Sequence, residues 1–203
     1  MRGFQRDNLL FSLCGLNCAL CKMQLGGHCP GCGGGEGNQS CAIARCGMAH
    51  GVAYCFQCAD YPCARYAEGD TADSFVIRRT RGQDVALARA AGVEAYTNAL
   101  RERRAILDEL LRGWNDGRHA SCFAAAAALL PREALQQALA ALREAGEATE
   151  IPRERARRAE ALLQRAAQAN GVTFRFVRQR SEPEKARRAR QSAGRETQKG
   201  RRD

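Results

Sequence analysis

Long apolar runs are missing from this chain. No segment of its 203 residues approaches the roughly 18 apolar residues of a membrane-spanning helix. The N-terminus also lacks the apolar stretch of about 7–15 residues that marks a secretory signal. Its apolar residues are Leu9-Leu10-Phe11, then Ser12-Leu13, and Cys14 follows at once. The expectation is a cytoplasmic, reducing setting with no membrane partner. Lysine is scarce too: Lys22, Lys185 and Lys199 are three of the 32 basic residues, and the rest are arginine. Alanine is abundant throughout, so the arginine excess fits a genomic preference for Arg and Ala codons as well as selected arginine chemistry.

A third shortage is local. Between Cys14 and Cys63 there are few Leu, Ile or Phe residues, while ten of the chain's 20 glycines fall there. Such a segment cannot bury enough apolar surface to offset the entropy lost on ordering it. Motifs of hydrolytic and nucleotide chemistry are also missing. The chain has no His-Glu-x-x-His, no Gly-x-Ser-x-Gly and no phosphate-binding glycine loop before a helix. No reaction is legible, and no catalytic or cofactor-binding residue is assigned.

What the segment does have is cysteine. Ten of the eleven cysteines lie there, spaced Cys14-x3-Cys18-x2-Cys21-x7-Cys29-x2-Cys32-x8-Cys41-x4-Cys46-x8-Cys55-x2-Cys58-x4-Cys63. Disulfides would need an oxidising compartment, for which the N-terminus offers no route. Metal is the remaining way to hold the segment together. Three pairs have two residues between them, Cys18/Cys21, Cys29/Cys32 and Cys55/Cys58, and that gap lets a tight turn aim two sulfurs at one ion. In Cys29-Pro30-Gly31-Cys32-Gly33, proline fixes one dihedral and the last glycine suits the left-handed region. All ten are therefore candidate metal ligands.

Four thiolates make one site. Sequence proximity groups Cys18, Cys21, Cys29 and Cys32, then Cys46, Cys55, Cys58 and Cys63, with Cys14 and Cys41 left over; interleaved or bridged sites fit the spacing equally. His28 and His50 are further nitrogen donors, read as solvated loop residues. The pairwise pattern favours Zn2+, with an iron–sulfur cluster as the alternative. Cys14-x3-Cys18-x2-Cys21 also has the spacing of a radical S-adenosylmethionine cluster motif. Such enzymes resemble long barrels of alternating strands and helices, so the triplet reads as coincidence in a cysteine-dense segment.

The rest of the chain is punctuated as helices. Val93, Tyr96, Leu100, Leu107, Leu111 and Trp114 share one face of a long helix, which Asn115-Asp116-Gly117 breaks. A second helix over about 119–130 turns Phe123, Ala126, Ala127 and Leu130 inward. Pro131 opens a third, burying Leu135, Leu139 and Leu142 and stopping near Gly146. Pro152 opens a fourth through Leu162, Leu163 and Ala166, and Asn170-Gly171 closes it. Val172, Phe174 and Phe176 then alternate with their neighbours as in a strand, whose one available partner is Leu9–Leu13. The fold class expected is a small irregular cysteine-rich metal-bound module, residues 1–66, followed by a mainly α-helical domain, residues 72–178, with at most a short two-stranded pairing. Residues 179–203 read as a disordered Arg-rich tail. From Arg178 on, 10 basic and 4 acidic residues supply +6 of the net +10.

Three stretches match a known pattern: Cys14-Gly15-Leu16-Asn17-Cys18, Cys29-Pro30-Gly31-Cys32, and Cys55-Phe56-Gln57-Cys58-Ala59-Asp60-Tyr61-Pro62-Cys63. In order and spacing this resembles the bacterial and archaeal domains of unknown function numbered 3795, over roughly residues 9–66. The resemblance implies a cysteine-rich metal-type domain and no established reaction. Many relatives end in a further Cys-Pro-x-Cys knuckle after a helix, where this chain has Leu111-Arg112-Gly113-Trp114.

Three functions follow from these residues. One is a structural metal module that organises a surface for a protein partner. Another is a nucleic-acid binder using knuckles and the basic tail, although Lys22 and Arg45 are the sole basic residues between Cys14 and Cys63. The third is an iron–sulfur redox or sensor protein. Cys122, in His119-Ala120-Ser121-Cys122-Phe123, reads as a packed helical thiol rather than a nucleophile.

Overall fold

The computed structural model describes residues 3–35, 41–67, 72–145, 151–174 and 176. The Arg-rich tail expected from residue 179 lies outside them, as do Arg175 and Val177.

The cysteine-rich segment carries short helices: a 3-10 turn at Cys18–Leu20, α1 (Lys22–Leu25), α2 (Ala42–Ala49), a 3-10 turn at Cys55–Gln57, and α3 (Ala64–Ala67). The helical part contains α4 (Arg81–Ala91), α5 (Val93–Gly113), α6 (Ala120–Leu129), α7 (Arg132–Glu144) and α8 (Pro152–Ala169). Punctuation of the last four follows the sequence. Pro131 immediately precedes α7, Pro152 starts α8, and Asn170 ends it. None of these helices is long and apolar enough to cross a membrane, among the described residues.

The central element is α5. It packs against α4, α6, α7 and the Cys18–Leu20 turn. Its face buries Leu100, Ile106, Leu107 and Leu110, with Trp114 just beyond the last turn. Around it gather Phe123 and Leu130, then Leu135 and Leu142, then Leu163. Arg103 of α5 donates to the carbonyls of Ala127 and Leu130, both at 2.8 Å. Those bonds satisfy acceptors that the end of α6 would otherwise leave unpaired. The same apolar cluster continues into the cysteine-rich segment through Phe11, Ala19, Leu20 and Tyr54. Leu13, Phe4, Cys32 and Ala44 form a second, smaller cluster.

Among the described residues the two-stranded pairing is absent: there is no strand, and Leu9–Leu13 is irregular. Its backbone groups are satisfied by turns instead: Ala19 donates to the Leu10 carbonyl at 2.9 Å, Cys55 to Leu13 at 2.8 Å, and the Asn8 side chain accepts from Leu10 and Phe11. The alternating Val172, Phe174 and Phe176 dock on the core as an irregular segment. Arg79 holds this end by donating to the Thr173 carbonyl at 2.7 Å. Alternation here reflects one face against helices and needs no ladder.

Candidate metal centre

The first cysteine loop is shaped by its neighbours. The Ser12 hydroxyl accepts from the Leu16 amide at 2.7 Å, and the Ser12 amide donates to the Leu16 carbonyl at 2.9 Å. This closes Cys14-Gly15-Leu16 into a tight turn. Gly15 has φ +91°, and a Cβ there would lie 2.3 Å from Cγ2 of Val85, so α4 rests directly on the loop. In the Cys29–Gly33 loop, Gly33 takes the left-handed conformation expected of it, at φ +92°. Arg6 lies against it. Its guanidinium donates to the carbonyls of Phe11 at 3.0 Å and Cys32 at 3.3 Å, and stacks over the Tyr54 ring.

All eleven cysteines lie among the described residues, and no disulfide joins any of them. Their sulfurs act on one another unevenly through their charges: Cys32, Cys14 and Cys21 act on Cys18; Cys14 and Cys41 act on Cys32; Cys14, Cys63 and Cys46 act on Cys55. Cys14, left over by sequence proximity, is thus the one sulfur common to all three neighbourhoods. Cys29 lies beside Pro30 on an open groove with Gln24, Arg104 and Asp108. Backbone amides point at the sulfurs: that of Cys32 at Cys18, that of Leu13 at Cys32, and that of Ala44 at Cys41 (3.4 Å). Cys41 is the N-cap of α2, its sulfur accepting from the Ala44 amide.

Burial raises these thiols. Cys18 is pushed up to about 12, first by burial and then by the Cys32 sulfur beside it. Cys55 is also pushed up to about 12, by burial and then by Cys14 and Cys63. Cys32 is raised by burial, against the pull of its amide bond and of Arg6. Crowded thiols of this kind stay protonated at neutral pH unless a cation displaces the protons, and a coordinated divalent ion does so. The donor set therefore fits a thiophilic divalent ion. Four thiolates on such an ion leave a net charge of about −2, and two arginines supply the opposite sign. Arg6 acts on Cys32; Arg81, buried over the Tyr66 ring, acts on Cys55. Neither was visible as a site residue in the sequence, because both lie outside the cysteine spacing.

Cys46, Cys55, Cys58 and Cys63 line one cavity of about 30 Å³, together with His50 and the apolar Ile43, Val52 and Tyr66. Two of its lining residues, His50 and Cys58, and the nearby Asp60 place one ligand atom each within 4.8 Å of one another. Among the described residues, no other set of three His, Cys, Asp or Glu donors is so close. Asp60 was not singled out by sequence; its one signal is the position two residues beyond Cys58. His28 is exposed just past α1.

Cys122 belongs elsewhere. It sits on α6 and is pushed up to about 12, first by burial and then by the charge and hydrogen bond of Glu160. His119 is held by Asp116 at 2.6 Å and by Glu160 at 3.3 Å. A thiol beside a carboxylate is the opposite of an activated nucleophile.

No protein-family model, curated protein or solved structure matches this chain.

Proposed function

We propose that this protein binds metal through the thiolates of its cysteine-rich segment, with Zn2+ as the ion, and serves as a structural and interaction module. The observation that carries the reading is the neighbourhood in which Cys14 and Cys32 act on Cys18, and Cys14 and Cys41 act on Cys32, with amides directed at the Cys18, Cys32 and Cys41 sulfurs; an ion would draw these sulfurs closer than they stand here. Amides aimed at sulfur are the usual surroundings of coordinated thiolates. Cys14, Cys18, Cys32 and Cys41 form the inner set, and Cys46, Cys55, Cys58 and Cys63 line the second location. The resemblance to the domains of unknown function numbered 3795 supports the same reading. Thiols kept available for metal suit a reducing compartment, so the cytoplasm is the proposed location and a protein the proposed partner.

The test is metal analysis of protein purified without oxygen. Zinc in stoichiometric amount, bound by a colourless protein, supports the reading. A brown protein with broad absorption near 400 nm, on the order expected for thiolate-to-iron charge transfer, replaces zinc by an iron–sulfur cluster. Protein that folds fully with no metal overturns it.

A further inference from the structure

The exposed donors beside this cavity differ in chemistry from the thiols that line it. Cys46 and His50 are four residues apart at the end of α2, on one face of the helix. His50 Nδ1 lies 2.8 Å from the Cys46 carbonyl oxygen and 3.7 Å from the Cys46 sulfur. A carbonyl only accepts, so Nδ1 carries the proton and donates, leaving the lone pair on Nε2. That is the arrangement by which a backbone carbonyl fixes a histidine for coordination through its other nitrogen. Cys58 and Asp60 come from the turn that follows the second 3-10 helix, and meet His50 within 4.8 Å. Donor atoms around a tetrahedral zinc are about 3–4 Å apart, so small side-chain rotations complete the approach. His50 and Asp60 are exposed, and Cys58 is partly buried.

We infer that His50, Cys58 and Asp60 form a second, solvent-facing site for an exchangeable divalent ion of the zinc class, distinct from the inner thiolates. The inference rests on the metal-binding reading for its chemistry, but it changes the ligand set. One imidazole, one thiolate and one carboxylate balance the charge of a divalent ion, where four thiolates overshoot it. Three protein ligands leave a fourth position to water or to an incoming ligand, as in open zinc sites. Exposure lets the ion exchange, and the Asp60 carboxylate is a harder and weaker donor than the sulfurs behind it. The outer ion is therefore held less tightly than the inner one, and its loss leaves the inner fold intact.

Full-length protein, His50→Gln, Asp60→Asn and the double variant are titrated with Zn2+ against a chromophoric chelator, and loaded with Co2+ and with cadmium for absorption and cadmium NMR. The expected result is tight zinc unchanged in every form. A weaker equivalent present in the parent is lowered at least tenfold by either substitution and lost in the double variant. Cadmium should give a sulfur-rich resonance in all forms and a mixed-donor resonance only in the parent. Equal stoichiometry and affinity in parent and double variant, with the same resonances, overturn the outer site while leaving the inner thiolates standing. A parent that takes up no metal at all overturns the metal-binding reading, and this inference with it.

Discussion

Arg104 of α5 donates to the Ala19 carbonyl at 2.9 Å, across 85 positions of sequence, and with the same nitrogen to Gln24 Oε1 at 2.9 Å. One side chain thus ties the central helix to the turn that carries Cys18 and Cys21. Its Nε donates to the Asp108 carboxylate at 2.8 Å, one helical turn away. Arg104→Ala should cost about 1–3 kcal/mol, because two partly buried acceptors lose their donor. Arg104→Lys should recover part of that, since a lysine cannot serve Asp108 and the turn in one geometry. Denaturant unfolding measures both; equal stability of all three forms would show that the tie is incidental.

Metal removal should act unevenly. The inner sulfurs cannot collapse on one another without an ion, so chelation should expose amides of residues 14–35 and 41–63 to hydrogen exchange. Protection should fall along the α5 face that contacts Ala19 and Leu20, and persist in α7 and α8, which pack on each other. Uniform loss across all helices, or no loss anywhere, would contradict this.

Cys32→Ser should release one equivalent of metal, because a hydroxyl is a poor substitute for thiolate toward borderline metals. Cys14→Ser should be at least as damaging, since the charge of that sulfur acts on Cys18, Cys32 and Cys55 alike. Cys122→Ser should leave metal content unchanged. If Cys14→Ser binds as much metal as the parent, the assignment of Cys14 as the shared sulfur fails.

The Cys122 thiol, pushed up to about 12 by burial and then by Glu160, should alkylate slowly near neutral pH. The expected deficit against an ordinary thiol is on the order of a hundredfold or more. Glu160→Gln removes the charge and should speed the reaction. Mass spectrometry after timed alkylation of metal-loaded protein reads the rate at this one position.

Asp84 carries a pH dependence. Tyr96 donates to it at 2.8 Å and also reaches Asn17 at 3.1 Å, yet burial dominates and raises the carboxyl above its ordinary range. The folded state therefore keeps a proton that the unfolded chain releases near about 4. Stability from this group is greatest below that point and declines as pH rises through the raised value. Asp84→Asn keeps an acceptor for Tyr96 and removes the charge. Its stability relative to the parent should climb as pH is raised from about 4 toward neutrality. Unfolding of the two forms across that range checks the sign; a difference independent of pH would contradict it.

The sequence by itself determined the helices from Val93 onward. Their signals are local: one apolar face per helix, proline opening α7 and α8, and the breaks at Asn115-Asp116-Gly117 and Asn170-Gly171 that follow α5 and α8. The Gly33 conformation was legible for the same reason, because a knuckle needs few residues to define it. Tertiary structure alone decided which sulfurs meet. Cys14 gained its place only once the Gly15 turn was pressed against Val85, and Arg6, Arg81 and Asp60 reach the cysteines from positions that no spacing rule connects. It also decided the fate of Leu9–Leu13, whose apolar pattern suits a strand or a buried loop equally. Its carbonyls found amides in the cysteine turns rather than in a partner strand, because hydrogen bonds go to whatever the packed loops bring within about 3 Å.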